Sequence, residues 1–136
     1  MNKHITTLAA AAITAAGAFS PVQAEKRQVK VRIIETSDVH GNFFPYDFIN
    51  RQPGTGSLAR VHTAVEKARK EVGKDNVILV DNGDILQGQP TAYYYNFMDT
   101  TSRHVAAEIM DFMGYNLSNL GNHDIETGHE VYDRWI

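Results

Sequence analysis

Apolar positions along the chain switch between two periods. Val29 to Glu35 is rich in β-branched residues and partly alternating, which predicts a strand. From Ser57 to Val72 the apolar positions Leu58, Val61, Val65, Ala68 and Val72 recur every three or four residues. That spacing predicts a helix with one apolar stripe, capped by Ser57 and stopped by Gly73. Val77-Ile78-Leu79-Val80 is an uninterrupted apolar run, as expected of a parallel strand buried on both faces. A second helix is predicted from about Ser102 to Met113, with Val105, Ala106, Ile109, Met110 and Met113 inward and Gly114 ending it. Tyr115 to Leu120 predicts a third strand, and a further helix begins after Thr127.

The order β-α-β-α-β-α predicts an α/β fold: a parallel sheet with crossover helices. Such sheets bind ligands beyond the carboxyl ends of their strands. The loops there run over residues 36–42, 81–89 and 121–126, and they hold nearly all the unusual polar residues. The last residues, Val131 to Ile136, form an uncapped helical pattern, so the sequence is expected to be the N-terminal part of a larger domain.

The start of the chain follows a different logic. Lys3 and His4 precede an Ala- and Thr-rich run from Ile5 to Phe19; Ser20-Pro21 breaks it, and Val22-Gln23-Ala24 supplies the small residues a signal peptidase needs. The pattern predicts a leader over 1–24 and export to the periplasm or the extracellular space. The run is shorter than the ~20 residues of a membrane span, and no Cys follows it, so no membrane anchor is expected. Composition narrows the chemistry. The 136 residues carry a net charge of −3 with no basic patch, which argues against a nucleic-acid polymer as partner. Cysteine is absent, so a metal would have to sit on oxygen and imidazole nitrogen.

Each loop taken alone leaves a choice. Asp38 and His40 are two apart at a strand end, on one face and able to share an ion, although a surface turn produces the same pattern. Asp84 follows a buried strand in a Gly-punctuated turn and reads as a ligand; Asp81 reads equally as an Asx turn. In Gly121-Asn122-His123-Asp124, Asn122 offers a neutral carbonyl oxygen to a cation, or Asn122 or Asp124 simply caps the next helix. Elsewhere the plain readings hold. His62 and His104 are expected solvated or partly packed, His129 capping or paired, Tyr93-Tyr94-Tyr95 and Phe97 packed in a core or interface. Gly54-Thr55-Gly56 lacks the Lys of a phosphate loop.

Together the three loops, Asp38-Val39-His40, Gly83-Asp84-Ile85-Leu86 and Gly121-Asn122-His123-Asp124, resemble the calcineurin-like metallophosphoesterases. Thr36-Ser37-Asp38-Val39-His40 and the Gly83 to Gly88 stretch bring the chain nearer to exported 5′-nucleotidases and 2′,3′-cyclic-nucleotide 2′-phosphodiesterases. The resemblance runs from about Val29 to Trp135. It implies the N-terminal portion, residues 25–136, of a four-layer α/β/β/α sandwich domain. It also implies hydrolysis of a small nucleotide or other phosphoester at two divalent ions (Zn, Mn, Fe or Co). Asp84 would bridge the ions, Asp38 and His40 would hold one and Asn122 the other. His123 would act on the phosphoryl or leaving oxygen, oriented by Asp124 or Glu126. The residues themselves also admit a non-catalytic phosphate- or metal-binding module, or an inactive fragment.

Overall fold

The computed structural model describes residues 28–136; the expected leader over 1–24 lies outside them. Three parallel strands form the central sheet in the order β1-β4-β5: β1 (Arg32–Thr36), β4 (Val77–Asp81) and β5 (Leu117–Ser118). The register sets Thr36 opposite Asp81 and Asp81 opposite Ser118, so the three strands end level with one another.

Helix α1 (Leu58–Val72) buries Leu58, Val65 and Ala68. The Ser57 hydroxyl accepts the Arg60 N–H at 3.3 Å, and Gly73 turns the chain out at φ +93°. Helix α3 (Val105–Met113) buries Ala106, Ala107, Met110 and Met113. It begins later than the expected Ser102, because Asp99 draws the N–H groups of Thr101 and Ser102 into a turn and His104 takes the capping position. The residues of α1 and α3 meet Leu79, Ile85 and Leu86 in one core that also takes in Val131 and Trp135.

Packing of β4 corrects the expectation of two covered faces. Val77 and Leu79 are buried, but Ile78 is 40% exposed, and Ile33 opposite it and Leu117 opposite Val80 are more open still. Among the described residues the helices cover one face of the sheet, and the apolar run reflects that face plus an open one. Strand β1 starts later than the expected Val29 and runs on to Thr36, and β5 is shorter at both ends than the expected 115–120.

Two elements gave no periodic signal. A two-stranded hairpin pairs β2 (Tyr46–Asp47) with β3 (Gln52–Pro53); the Asp47 carboxylate accepts the N–H groups of Ile49 and Asn50 and so shapes the turn. Helix α2 (Pro90–Tyr93) starts on a proline and runs into a π-helical turn over Tyr94–Met98. Tyr93, Tyr94 and Phe97 are about half exposed there, contrary to the core reading. A further short helix not expected from the sequence, α4 (Asn122–Glu126), precedes α5 (His129–Tyr132), which begins after Thr127 as expected. No helix of the described residues is long and apolar enough to cross a membrane.

Candidate metal centre

The strand ends are tied sideways before the loops begin. Asp81, buried at 3% exposure, accepts the Thr36 hydroxyl at 2.7 Å, the Ser118 hydroxyl at 3.2 Å and the Gly83 N–H at 3.1 Å. Burial raises its pKa, and these donors pull against that rise. With its oxygens engaged in this way, Asp81 is the Asx-type support that the sequence left as one of two readings.

The first two loops then join through their backbones. The N–H groups of Asp38, His40 and Gly41 donate to the carbonyls of Gly83, Asp84 and Ile85 at 2.8–3.0 Å. To do so the chain takes unusual conformations. Four non-glycine residues among those described have positive φ, and three of them are Asp38 (55°), His40 (48°) and Asp84 (60°). Such backbone costs about 1–3 kcal/mol per residue and concentrates at functional sites. Gly88 is needed where this loop passes the first one: a Cβ there would lie 2.9 Å from His40 Cβ and 3.1 Å from its carbonyl carbon.

The third loop docks through Asp124. This carboxylate is wholly buried and accepts four backbone N–H groups: Asp84 at 2.6 Å, Ile85 at 2.9 Å, Leu86 at 2.7 Å and Gly121 at 2.9 Å. The Gly121 contact is the reach-back of a helix-capping residue. Asp124 was expected as one of two carboxylates orienting His123. It makes no hydrogen bond to that ring; its lone pairs are taken up by the loops. Glu126 fills the orienting position instead, with Oε2 2.9 Å from His123 Nδ1. The Glu126 hydrogen bond is the main cause of a raised His123 pKa, with Asp84 and Asp124 adding to it.

What remains is a small set of side chains facing one another. One ligand atom each from His40, Asp84 and His123 lies within 4.8 Å of the others. The rings of His40 and His123 stand 5.3 Å apart, edge to face. His40 Nδ1 is 3.3 Å from the Gln87 carbonyl and so carries the proton, which leaves the Nε2 lone pair free. That Nε2 lies 3.9 Å from Asp38 Oδ1. Asp84 Oδ1 accepts the His123 N–H at 2.9 Å. Asp38 and Asn122 are exposed, Asp38 bonded to the neighbouring Ser37 hydroxyl and Asn122 at the first position of α4.

Carboxylate oxygen and neutral imidazole suit a hard or borderline divalent cation. A 4.8 Å spread is close to the ~4 Å that two ligands about 2.1 Å from one ion span, so the donors fit such an ion with little movement. The capping of α4 by Asp124 through Gly121 was one of the readings the sequence offered; its clamp on the second loop was not readable beforehand, because those three partners lie 38–40 residues away in the sequence. His104 is a second correction: it is not solvated but fully buried, with both ring nitrogens hydrogen-bonded.

Comparison with known proteins gives a consistent result. Residues 31–135 match the family described as calcineurin-like phosphoesterase. A trifunctional nucleotide phosphoesterase protein, YfkN of Bacillus subtilis, is 31% identical over 126 residues, covering 85% of this chain and 8% of its own length. A 2′,3′-cyclic-nucleotide 2′-phosphodiesterase/3′-nucleotidase of Yersinia enterocolitica is 32% identical over 114 residues, covering 82% of this chain and 17% of that protein. The chain thus spans less than a fifth of the length of either relative. The crystal structure of the Bacillus subtilis protein superposes with a TM-score of 0.70 over 81% of this chain and 34% of the other. On a match covering most of its length, the chain belongs to the calcineurin-like phosphoesterase family.

Proposed function

We propose that the protein is a metal-dependent phosphoester hydrolase acting on nucleotides, as a 5′-nucleotidase, a 2′,3′-cyclic-nucleotide 2′-phosphodiesterase or both. The observation that carries this is the convergence within 4.8 Å of His40 and Asp84, both with left-handed backbone, and His123 of α4, in a chain of this family. The names of its relatives, nucleotide phosphoesterases and nucleotidases, favour nucleotides as substrates.

In this reading Asp84 would hold both of two divalent ions, Asp38 and His40 would complete the donors to one, and Asn122 would serve the other. The ions supply Lewis acidity toward the phosphoryl oxygens and an acidified water. Asp84 suits a bridging place because a carboxylate offers two oxygens and one negative charge to two cations. His40 presents Nε2 because Gln87 holds its other nitrogen. His123, its Nδ1 fixed by Glu126, presents Nε2 toward a bound phosphate, to steady charge on a phosphoryl oxygen or hand a proton to the leaving oxygen. The leader pattern of 1–24 supports export, with cleavage after Ala24; N-terminal sequencing of secreted protein should then start at Glu25, and an intact Met1 in the cytoplasm would refute it.

Metal analysis of the full-length protein tests the site. Two ions per chain are expected, with both lost or weakened in Asp84→Asn and both retained in His123→Ala. With a nucleotide substrate, His123→Ala should lower kcat by on the order of 10²–10⁴. Full metal occupancy in Asp84→Asn removes the bridging role; loss of metal in His123→Ala makes His123 a ligand instead.

A further inference from the structure

Behind the loops lies a buried polar pair that the functional reading does not use. Asn96 is 3% exposed and His104 is fully buried. Asn96 Nδ2 donates to the Leu86 carbonyl at 2.6 Å, and its Oδ1 is 2.8 Å from His104 Nε2. His104 Nδ1 in turn accepts the Ala106 N–H at 3.1 Å, at the start of α3. These contacts fix every proton. The ring is neutral and protonated at Nε2, and the Asn96 amide has one allowed orientation.

The Leu86 peptide is therefore gripped at both ends. Its N–H goes to Asp124 at 2.7 Å and its carbonyl to Asn96. Leu86 is two residues beyond Asp84, whose own backbone is left-handed. Asn96 is itself anchored. It sits in the π-helical turn, where Arg134 donates to the carbonyls of Tyr95 at 2.6 Å, Asn96 at 3.0 Å and Asp99 at 3.2 Å. Interruptions of this kind recur near functional sites because they aim one side chain that a regular helix would not.

We infer that Asn96, held in orientation by His104, is a positioning residue that fixes the Leu86 peptide and with it the Asp84 loop. Its importance for metal binding rests on the proposed role of Asp84; its hold on the loop does not. A buried amide could serve global stability alone, so the test must read the loop separately from the fold.

Amide hydrogen exchange of the full-length protein does this. In Asn96→Leu the amides of Asp84, Ile85 and Leu86 should exchange on the order of tenfold faster, while those of α1 and the centre of β4 keep the wild-type rate. His104→Asn is the gentler variant. Asparagine is favoured at a helix N-cap, so the cap of α3 survives while the donor to Asn96 and part of the buried ring volume are lost. It should give the same local pattern at smaller amplitude, and it decides the matter if Asn96→Leu does not fold. The apparent Mn²⁺ affinity should fall about tenfold in Asn96→Leu at a temperature where all variants are folded. Exchange that rises evenly across α1, β4 and the loop, or nowhere, overturns the inference. A wild type that binds no Mn²⁺ removes the functional reading, and the exchange pattern alone then judges Asn96.

Discussion

Replacing Asp124 by Asn changes one atom and should separate a clamp from a catalytic carboxylate. Oδ2 of Asp124 accepts the N–H groups of Asp84 and Gly121, and Oδ1 those of Ile85 and Leu86. An asparagine keeps one oxygen and places an NH₂ at the other position. Whichever way the amide turns, two buried N–H donors then face a donor. Hydrogen bonds to a charged group contribute about 1.5–3 kcal/mol each, so losing two costs roughly 3–6 kcal/mol. The two bonds that remain lose their charge assistance as well. That is a large share of the ~5–15 kcal/mol by which domains are stable. Denaturant unfolding measures it, with Glu126→Gln as the control. Glu126 is exposed and touches His123 alone among the side chains here, so its loss should change stability by less than ~0.5 kcal/mol. Equal small effects from both variants, below about 1 kcal/mol, would refute the clamp. So would an Asp124→Asn protein of normal stability that had lost only catalysis.

Two further outcomes follow from the same geometry. Burial, aided by the Arg134 charge, pushes the His104 pKa down to about 4 in the folded state. The unfolded chain takes up that proton near 6.5, so the folded state gains full benefit above pH 6.5 and loses it as pH falls toward 4. The loss amounts to roughly 3 kcal/mol at about 1.36 kcal/mol per pH unit; His104→Asn should flatten stability against pH in this window, and an unchanged slope would refute it. Gly121→Ala would put a Cβ 2.6 Å from Asp84 Cγ and 2.7 Å from Asp84 N, so it should cost about 1–3 kcal/mol in thermal unfolding and weaken metal binding. Gly56→Ala, with nothing within 4 Å, should stay within ~0.5 kcal/mol of wild type.

Much of this was legible in the sequence, and the limits follow from physics. The stripe Leu58-Val65-Ala68 is local information, as is the run Val77 to Val80, and α1 and β4 stand where these patterns predict. The three loops were legible because chemistry at strand ends concentrates in few residues. Long-range partnership was not. His104 looks like any histidine near a helix, and only the fold supplies Asn96 as its partner. Tyr93 to Phe97 has β-prone aromatics, yet Pro90 starts a helix that continues through them. The hairpin strands have two residues each, too short for any period to show. Nor does sequence announce positive φ at Asp38, His40 and Asp84, since backbone bonds between two loops impose it.

The acidic residues of the loops sort by what their oxygens already hold. Asp81 accepts from Thr36, Ser118 and Gly83, and Asp124 from four backbone groups. A carboxylate so saturated has little left for a cation, and its negative charge is balanced by N–H and O–H dipoles. Asp84 is different. It is nearly as buried as Asp81, but the bond its carboxylate accepts is the His123 N–H, on Oδ1. Its other oxygen accepts no hydrogen bond from the protein and reaches the surface, so this largely desolvated charge is open to a cation and gains from a positive charge that comes to it. The left-handed backbone at the same residue adds to the cost of that desolvation. The two saturated acids offset it: Asp81 locks the strand ends, and Asp124 locks the loop on either side of the strained peptide. The fold thus uses two aspartates as fixed supports so that a third can stay under-satisfied. On this argument a divalent ion should stabilise the protein through Asp84, and Asp84→Asn, which lowers the local negative charge, should make the metal-free protein more stable rather than less. A metal-free Asp84→Asn protein that unfolds at lower denaturant than the metal-free wild type would show that Asp84 is a support like the other two.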